Sequence, residues 1–332
     1  MGYEIKFNTI ILPIEIVVGC FANIIAFLIW QFGAKSKVLF CASYFAVAAV
    51  LDLLYLALPG VIYYLYQVDP TTFPPSDGFC RLTYFAQFTL GQSGKWISVA
   101  LTVERSLTIL FPFVFKSNGI QRRSKFIQGA VIVLISLANI SYLICLKYKP
   151  EVVDCVWYDK YKAVYDFYAT YDIIFGVLLP SVLIVVFNAV SMVSLCKKKF
   201  QSKAGSRGRN EGLSVFTKLV LATGLLHILT NSLWIFVLLG HFQWFEIELE
   251  IHVTIVSVAM IVLYSNSILV PFMYFIVCTS FREDFKTFTR CLALPRCCRR
   301  RQTAYVTRSK IPTSNTQQSV VSISQMSAHD CA

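Results

Sequence analysis

Seven long apolar segments constrain the fold of this chain more than any other feature of its sequence. They cover residues 10–32, 41–66, 81–111, 126–146, 170–195, 216–240 and 251–277. A helix needs roughly 20 apolar residues to cross a bilayer, whereas the strands of a transmembrane barrel alternate in polarity over about 10 residues. Only 14% of the 332 residues are charged. The sequence therefore predicts an all-α membrane protein, a seven-transmembrane helix bundle.

Basic residues between the segments predict which loops face the cytoplasm. They concentrate after the first, third and fifth segments and in the tail: Lys35, Lys37, Lys116, Arg122, Arg123, Lys125, Lys197, Lys198, Lys199, Lys203, Arg207, Arg209, Arg296, Arg299, Arg300 and Arg301. The loops after the second and sixth segments carry acids instead. We therefore expect a multi-pass plasma-membrane protein with an extracellular N-terminus and a cytoplasmic C-terminus.

The net charge of +12 is confined mainly to these juxtamembrane stretches, where it sets topology and contacts anionic lipid. Nucleic-acid binding is therefore not expected. Four regions follow: a short extracellular N-terminus (1–9), the transmembrane domain (10–277), an amphipathic juxtamembrane helix (278–295) and a disordered cytoplasmic tail (296–332). Phe281 and Phe285 are spaced i, i+4 and give the juxtamembrane helix its apolar face.

The eleven cysteines divide by compartment. Cys80 and Cys155 are the two expected on the outer side, where disulfides persist. Cys291, Cys297 and Cys298 follow the last segment beside the sequence RCCRRR, and we interpret them as palmitoylation sites. No histidine or further cysteine pair completes a zinc set there. The sequence predicts neither a metal nor a cofactor.

Ionisable residues inside the apolar segments are candidates for function, because charge is costly in a bilayer. They are Glu15, Asp52, Lys95, Glu104, Arg105, Asp172 and His227. No hydrolase motif joins them, so an enzyme is not expected. The alternative class, a transporter or channel, is disfavoured because paired broken helices are missing. For Lys95 and His227 we favour packing inside the bundle over ligand contact, with pairing of Lys95 to a carboxylate left open.

The third segment carries Cys80 at one end and Glu104-Arg105 at the other. The 25 residues between Cys80 and Arg105 (105 − 80) span roughly 37 Å as a helix, one bilayer crossing. With this pattern the chain resembles the rhodopsin-like (class A) G-protein-coupled receptors over about residues 10–290. Further matching positions are Asn23 in GCFANIIAF, Asp52 in AVAAVLDLL, Pro112, Pro180 in the fifth segment, and Asn266, Ser267, Pro271 and Tyr274 in SNSILVPFMY.

The resemblance implies roles for these residues. It implies a disulfide between Cys80 and Cys155, and an ion pair in which Glu104 holds Arg105 in the resting state. The implied coupling residues are Glu104, Arg105, Pro112, Pro271 and Tyr274, and the implied polar core is Asn23, Asp52, Asn266 and Ser267. The implied partners are an extracellular ligand, a heterotrimeric G protein, and an arrestin-like protein that binds the phosphorylated tail.

Several positions depart from the family pattern. Ser106 replaces a tyrosine and Val270 replaces an asparagine, which puts the sodium site of the family in doubt. The sixth segment lacks the usual proline and has Leu233 there. We therefore expect Thr230 and Ser232 to bond back to their own helix and so supply its kink.

Two absent residues argue against light-sensing opsins and amine receptors, and a second resemblance favours a particular class of ligand. The seventh segment has no lysine of the kind opsins need, and Gln87 stands where amine receptors have an aspartate. GQSGKWISVALTVERSLTILFP resembles invertebrate FMRFamide-type neuropeptide receptors and also nematode serpentine chemoreceptors. We therefore predict a neuropeptide ligand, with an odorant or other small molecule as the alternative. The candidate contacts are Tyr84, Gln87, Phe88, Trp157, Tyr158, Asp172, Trp244 and Glu246.

Overall fold

A computed structural model describes residues 4–37, 39, 41–68, 76–111, 120–149, 154–201, 207–241 and 249–293. The first half of the chain forms α1 (Glu4–Phe32), α2 (Ala42–Tyr55), α3 (Val61–Val68), α4 (Asp77–Leu110), α5 (Ile120–Ala138) and the short α6 (Tyr142–Cys145). A π-helical turn, Leu56–Gly60, joins α2 to α3 so that the two form one continuous element.

The second half begins with a β-hairpin that the all-α expectation did not include. Strands β1 (Leu146–Lys149) and β2 (Asp154–Trp157) pair antiparallel, with Tyr148 opposite Cys155. A 3-10 turn (Asp159–Tyr161) then leads to α7 (Lys162–Ile173), a second π-helical turn (Ile174–Leu178) and α8 (Leu179–Gln201). The chain continues through α9 (Arg207–His241), α10 (Leu249–Val277) and α11 (Thr279–Ala293).

Two prolines accompany the π-helical turns. Pro59 lies inside the first turn, and Pro180 is the second residue after the end of the second turn. A proline ring clashes with the carbonyl four residues before it in a regular helix, and it has no N–H to donate. The wider turn of a π-helix accommodates the ring, so each long element crosses the bundle without being broken.

Five described stretches are long and apolar enough to cross a membrane: Thr9–Phe32, Ala42–Tyr66, Arg122–Cys145, Thr170–Ser194 and Thr254–Val277. They coincide with five of the seven predicted segments. The other two predicted segments form α4 and α9, which are more polar. On α4 the polar and charged side chains turn inward, since Gln92, Ser93, Thr102, Glu104 and Arg105 are all buried. Large apolar side chains such as Phe21, Phe126, Leu134 and Leu229 cover the outside of the bundle.

The central helix is α4, which packs against α2, α5 and α8. We call the end of the bundle near Cys80 the disulfide end and the opposite one the Arg105 end. At the Arg105 end, α11 packs against α1 and α10. The Asp284 carboxylate accepts hydrogen bonds from the backbone N–H groups of Lys35 (3.0 Å) and Ser36 (2.7 Å), and Lys35 also pairs with Glu283. These contacts fasten α11 to the turn between α1 and α2.

Candidate functional site

An elongated cavity lies among the helices and is the main candidate for a binding site. It reaches from Gln87 and Phe88 near the disulfide end to Tyr44 and Tyr274 near the Arg105 end. Much of the wall is apolar, with Leu90, Ile97, Leu101, Val177, Ile184, Val220, Leu263 and Val270. A few polar groups on an apolar wall are typical of sites that bind small molecules.

A carboxylate with several partners forms one side of the cavity. Asp172, near the end of α7, accepts a hydrogen bond from Tyr142 Oη at 2.6 Å and another from Gln92 Nε2 at 2.8 Å. Asn139 Nδ2 in turn donates to Gln92 Oε1 at 3.0 Å. Both oxygens of Asp172 therefore have a neutral donor, and the network joins α4, α6 and α7. Buried carboxylates need such partners because water does not reach them.

Lys95 lines the cavity between this network and α9. Its charge interacts with that of Asp172 and with His227 on α9. Among the described residues, however, Lys95 makes no hydrogen bond or salt bridge. His227 and Asn231 form the facing wall, and Asn231 Nδ2 donates to the His227 carbonyl at 2.8 Å. The sequence analysis favoured packing inside the bundle for Lys95. If packing is its only role, its ammonium group has no hydrogen-bond acceptor among the described residues.

Of the eight predicted ligand contacts, some line the cavity, some do not, and two cannot be placed because they lie outside the described residues. Gln87, Phe88 and Asp172 line the cavity. Tyr84, Trp157 and Tyr158 are not among its described lining residues. Trp244 and Glu246 lie outside the described residues. A common contact surface made of all eight therefore stays a prediction.

The aromatic residues of the disulfide end pack on each other. Phe88 and Tyr142 stack with ring centroids 4.5 Å apart and an interplanar angle of 2°. Trp157 packs against Tyr142 at 5.5 Å and against Tyr168 at 5.8 Å. Such pairs stabilise beyond their buried area. Trp157 therefore anchors the hairpin to α6 and α7. This packing accounts for the position of Trp157 without a ligand contact.

A disulfide between Cys80 and Cys155 joins the hairpin to the beginning of α4. Two further contacts reinforce it. Arg81 Nε donates to the Leu146 carbonyl at 2.9 Å, and Asp77 Oδ1 accepts from the backbone N–H of Tyr148 at 2.8 Å. The hairpin is thereby held at the disulfide end.

Three of the four predicted polar-core residues meet between α1, α2 and α10. Asn23 Nδ2 donates to the Ser267 carbonyl at 2.8 Å, and Ser267 Oγ donates to Asp52 Oδ1 at 2.9 Å. Asn266 lines the cavity beside them. The group connects the three helices through side chains that the apolar surroundings would otherwise disfavour.

Glu104 lies in a cluster of donors at the Arg105 end, which we call the Glu104 cluster: Glu104, Tyr44, Arg123 and Ser124. Arg123 Nη2 donates to Glu104 Oε1 at 2.9 Å, and Tyr44 Oη donates to Oε2 at 2.6 Å. Ser124 Oγ lies 2.9 Å from Oε2. Glu104 is only 4% exposed. The carboxylate of Glu104 thus forms a salt bridge with Arg123 on α5. The sequence analysis expected a pair with Arg105 and did not predict Arg123 as a partner.

Arg105 is buried at the same end, 6% exposed. The neighbouring Ser106 replaces the family tyrosine, and its Oγ lies 2.8 Å from the Phe187 carbonyl oxygen and 2.9 Å from Ser191 Oγ on α8. This departure from the pattern thus serves as a link between α4 and α8. Pro112 lies outside the described residues.

Tyr274 is buried in an aromatic cluster at the Arg105 end. Its ring lies 4.8 Å from that of Phe45, 5.4 Å from Trp30 and 5.8 Å from Phe281. The cluster joins α1, α2, α10 and α11. Pro271, one turn earlier, lies inside α10.

Two side chains of α9, the helix that contains the sixth predicted segment, form the expected hydrogen bonds to carbonyl groups of their own helix. Thr230 Oγ1 donates to the Leu226 carbonyl at 3.0 Å and Ser232 Oγ to the Leu229 carbonyl at 2.7 Å. Of the palmitoylation candidates, Cys291 lies near the end of α11 and forms a disulfide in the structure, which leaves it no free thiol for palmitoylation. Cys297 and Cys298 fall outside the described residues.

Sequence reasoning missed the residues that hold the two buried acids. Arg123 belongs to a basic run and was assigned to the positive loop surface, although Ser124 and Gln128 at i+1 and i+5 mark a polar face of α5 that is buried. Tyr44, Gln92, Asn139 and Tyr142 gave no signal above the apolar pattern. Only the packing of α4 against its neighbours brings them to Glu104 and Asp172.

Comparison with known proteins agrees with this geometry. The family described as "7 transmembrane receptor (rhodopsin family)" matches residues 22–274. The chain is also similar to cysteinyl leukotriene receptor 1 of Sus scrofa, with 22% identity over 284 residues that cover 82% of each protein. The matched range contains the second to sixth predicted segments in full, the second half of the first segment and all but the last three residues of the seventh. This chain belongs to the rhodopsin family of seven-transmembrane receptors.

Proposed function

We propose that this receptor binds an extracellular ligand in the cavity and, through Arg105, activates a heterotrimeric G protein. The observation that carries the proposal is the extent of the cavity. One wall includes Gln87 and Phe88 near the disulfide end, and the same cavity reaches Tyr44 of the Glu104 cluster and Tyr274 near Arg105. A ligand at one end thus contacts helices that also form the other.

The disulfide end is proposed to be extracellular. Disulfides persist in oxidising compartments, and Cys80 and Cys155 are joined there. The basic residues of the opposite end fit the cytoplasmic side. This orientation puts Arg105 and α11 on the side where a G protein and an arrestin-like protein act. Contact of the basic residues with anionic lipid belongs to the same proposal.

For activation we propose that α9 moves away from α8 at the Arg105 end. In the structure the two helices are close, because Gly224 on α9 faces Ile184 and Asn188 on α8. Opening this contact gives the C-terminal helix of a Gα subunit access to Arg105, and Tyr274 leaves its aromatic cluster to support the open form. A ligand drives the change only by binding the open state more tightly than the closed one.

Two ligand classes follow from different observations. A neuropeptide ligand is supported by the resemblance to FMRFamide-type receptors. Of the residues predicted to contact it, Trp244 and Glu246 lie outside the described part of the chain. A small molecule is favoured by the hydrogen bonds of Asp172, a predicted ligand contact, because both its oxygens already accept from Tyr142 and Gln92 and are less available to a basic peptide group. The similarity to a receptor for cysteinyl leukotrienes supports the same class.

A reporter assay tests the proposed function. Cells that express the receptor with a promiscuous Gα are exposed to amidated peptides in one panel and to small amphiphiles and odorants in another. We expect at least one compound to raise the reporter signal in these cells and not in cells without the receptor. Ligand-independent solute flux through the purified protein in liposomes, with no response in either panel, would instead indicate a transporter or channel.

A further inference from the structure

We propose that Lys95 binds an anionic group, in the simplest case a carboxylate, at the inner end of an elongated and mainly apolar ligand. The inference rests on the proposed function, since it assumes that the cavity receives the ligand. It goes further by naming the chemistry of the ligand and the residue that recognises it.

The position of Lys95 sets the shape of such a ligand. Lys95 lies eight residues beyond Gln87 on α4 (95 − 87), and both residues line the cavity. At about 1.5 Å per residue, Lys95 is therefore about 12 Å deeper in the bundle than Gln87. Leu90, Val177 and Leu263 line the same cavity. An anion reaches Lys95 from the disulfide end only on a molecule with an apolar body of comparable length.

Unused hydrogen-bond donors on Lys95 favour an anionic acceptor. Asp172 is the acid whose charge acts on Lys95, but its two oxygens accept hydrogen bonds from Tyr142 (2.6 Å) and Gln92 (2.8 Å). Within the described part of the chain, no acceptor lies at hydrogen-bond distance from the Lys95 ammonium. A charge in low-dielectric surroundings is costly unless it is paired and hydrogen-bonded.

The other polar groups on the cavity wall do not supply a hydrogen-bonded carboxylate for Lys95. His227 and Asn231 face Lys95 from α9 and carry no carboxylate. Asp52 also lines the cavity, but it accepts its hydrogen bond from Ser267 between α2 and α10. A ligand carboxylate would give Lys95 a charge-assisted hydrogen bond, while the amide group of Asn231 could donate a second bond to it.

Paired acids and amides test the inference without a known ligand. The probes are decanoate, dodecanoate and phenylbutyrate, each compared with its neutral primary amide. The receptor is purified in lipid nanodiscs, and its thermal unfolding midpoint is measured against probe concentration, because a ligand of the native state raises the midpoint. We expect at least one acid to stabilise the wild-type receptor at lower concentration than its amide does.

Variants locate the effect. Lys95→Met should weaken the binding of that acid by about 10- to 100-fold, the loss expected for one charged hydrogen bond, and should leave the amide unchanged. Lys95→Arg should keep the preference for the acid. Asp172→Asn should strengthen it, since the competing negative charge is removed. Lys218→Met, on the exposed surface of α9, is the control and should behave as the wild type.

Two results would overturn the inference: acids and amides that act alike on the wild type throughout the panel, or a preference that persists in Lys95→Met. Neither measurement involves a G protein, so the two proposals fail separately. If Lys95-dependent acid binding produces no response with any Gα, the proposed function is wrong. If an agonist activates the wild type and Lys95→Met equally, only the role of Lys95 is wrong.

Discussion

At the scale of single residues, Glu104 shows how a buried charge is stabilised in this receptor. Four donor atoms from Tyr44, Arg123 and Ser124 surround its carboxylate and connect α4 to α2 and α5. A buried acid that loses its cation keeps the cost of desolvation without the compensating attraction. The Glu104 cluster is therefore a structural joint as well as a neighbour of Arg105, the proposed coupling residue.

Replacement of Arg123 tests the joint. Arg123→Ala should lower the free energy of unfolding by about 1–3 kcal/mol, less than for a fully buried pair because the Arg123 side chain is 39% exposed. Thermal unfolding of the purified receptor in nanodiscs measures the effect. Arg122→Ala, the exposed neighbour, is the matched control and should change stability little. Equal effects of the two substitutions would show that the salt bridge contributes nothing.

The sequence singled out Glu104 and Arg105 as candidate functional residues, but it did not predict the partners of Glu104. A charged pair in an apolar segment is visible in a linear sequence, because the charges and the apolar run that surrounds them are adjacent along the chain. Arg123 looks like any other residue of a basic loop, and only the approach of α5 to α4 makes it a partner. The same holds for Lys95, whose surroundings are set by Asp172 from α7 and His227 from α9.

At the scale of elements, close packing of α8 against α9 is the contact that activation is proposed to open. A Cβ added to Gly224 would lie 2.8 Å from Ile184 Cγ2 and 2.9 Å from Asn188 Nδ2. By contrast, Gly129 on α5 has no such neighbour within 4 Å. The two glycines therefore separate the effect of helix propensity from that of packing.

Alanine substitution should act oppositely at these two positions. Gly129→Ala should stabilise the receptor by about 0.5–1 kcal/mol, because alanine favours the helix. Gly224→Ala should destabilise it by about 1–3 kcal/mol through overpacking, and it should also favour the state with α9 displaced. Unfolding midpoints and basal reporter activity check the two effects. A stabilised Gly224→Ala variant with unchanged basal activity would contradict the proposed opening of α8 and α9.

A second element-scale prediction concerns α11. Asp284→Ala removes the acceptor for the N–H groups of Lys35 and Ser36, so these amides should exchange hydrogen faster. Hydrogen–deuterium exchange of the turn between α1 and α2 measures this change. Glu283→Ala, which removes only the exposed ion pair with Lys35, should leave the exchange nearly unaltered. Comparable protection in wild type and Asp284→Ala would mean that α11 does not hold the turn.

At the scale of the whole molecule, seven apolar segments were sufficient to predict the architecture. Length and apolar composition decide how many helices cross a bilayer, and neither depends on tertiary contacts. The hairpin was not predicted, because β1 and β2 are only four residues each and owe their pairing to the disulfide and to contacts with Arg81 and Asp77. The cavity was not predictable either, since it depends on how all the helices pack.

The disulfide is proposed to fix the hairpin at the ligand end of the whole receptor. Cys80→Ser and Cys155→Ser should each reduce surface expression, because loss of a native disulfide typically costs about 2–5 kcal/mol. The double variant should be no worse than either single variant, since both remove one bond. Quantitative surface labelling of cells makes the comparison. Additive losses would show that the two cysteines act independently.

The central claim is that this receptor activates a G protein through Arg105, and one measurement tests it most directly. Nucleotide exchange on a purified heterotrimeric G protein is followed with wild-type receptor and Arg105→Ala in nanodiscs, each with the agonist identified in the reporter assay. Agonist binding and thermal stability are matched first, so that only coupling differs. We predict that the wild type accelerates exchange and that Arg105→Ala binds the agonist without accelerating it. Equal acceleration by the two proteins would contradict the claim.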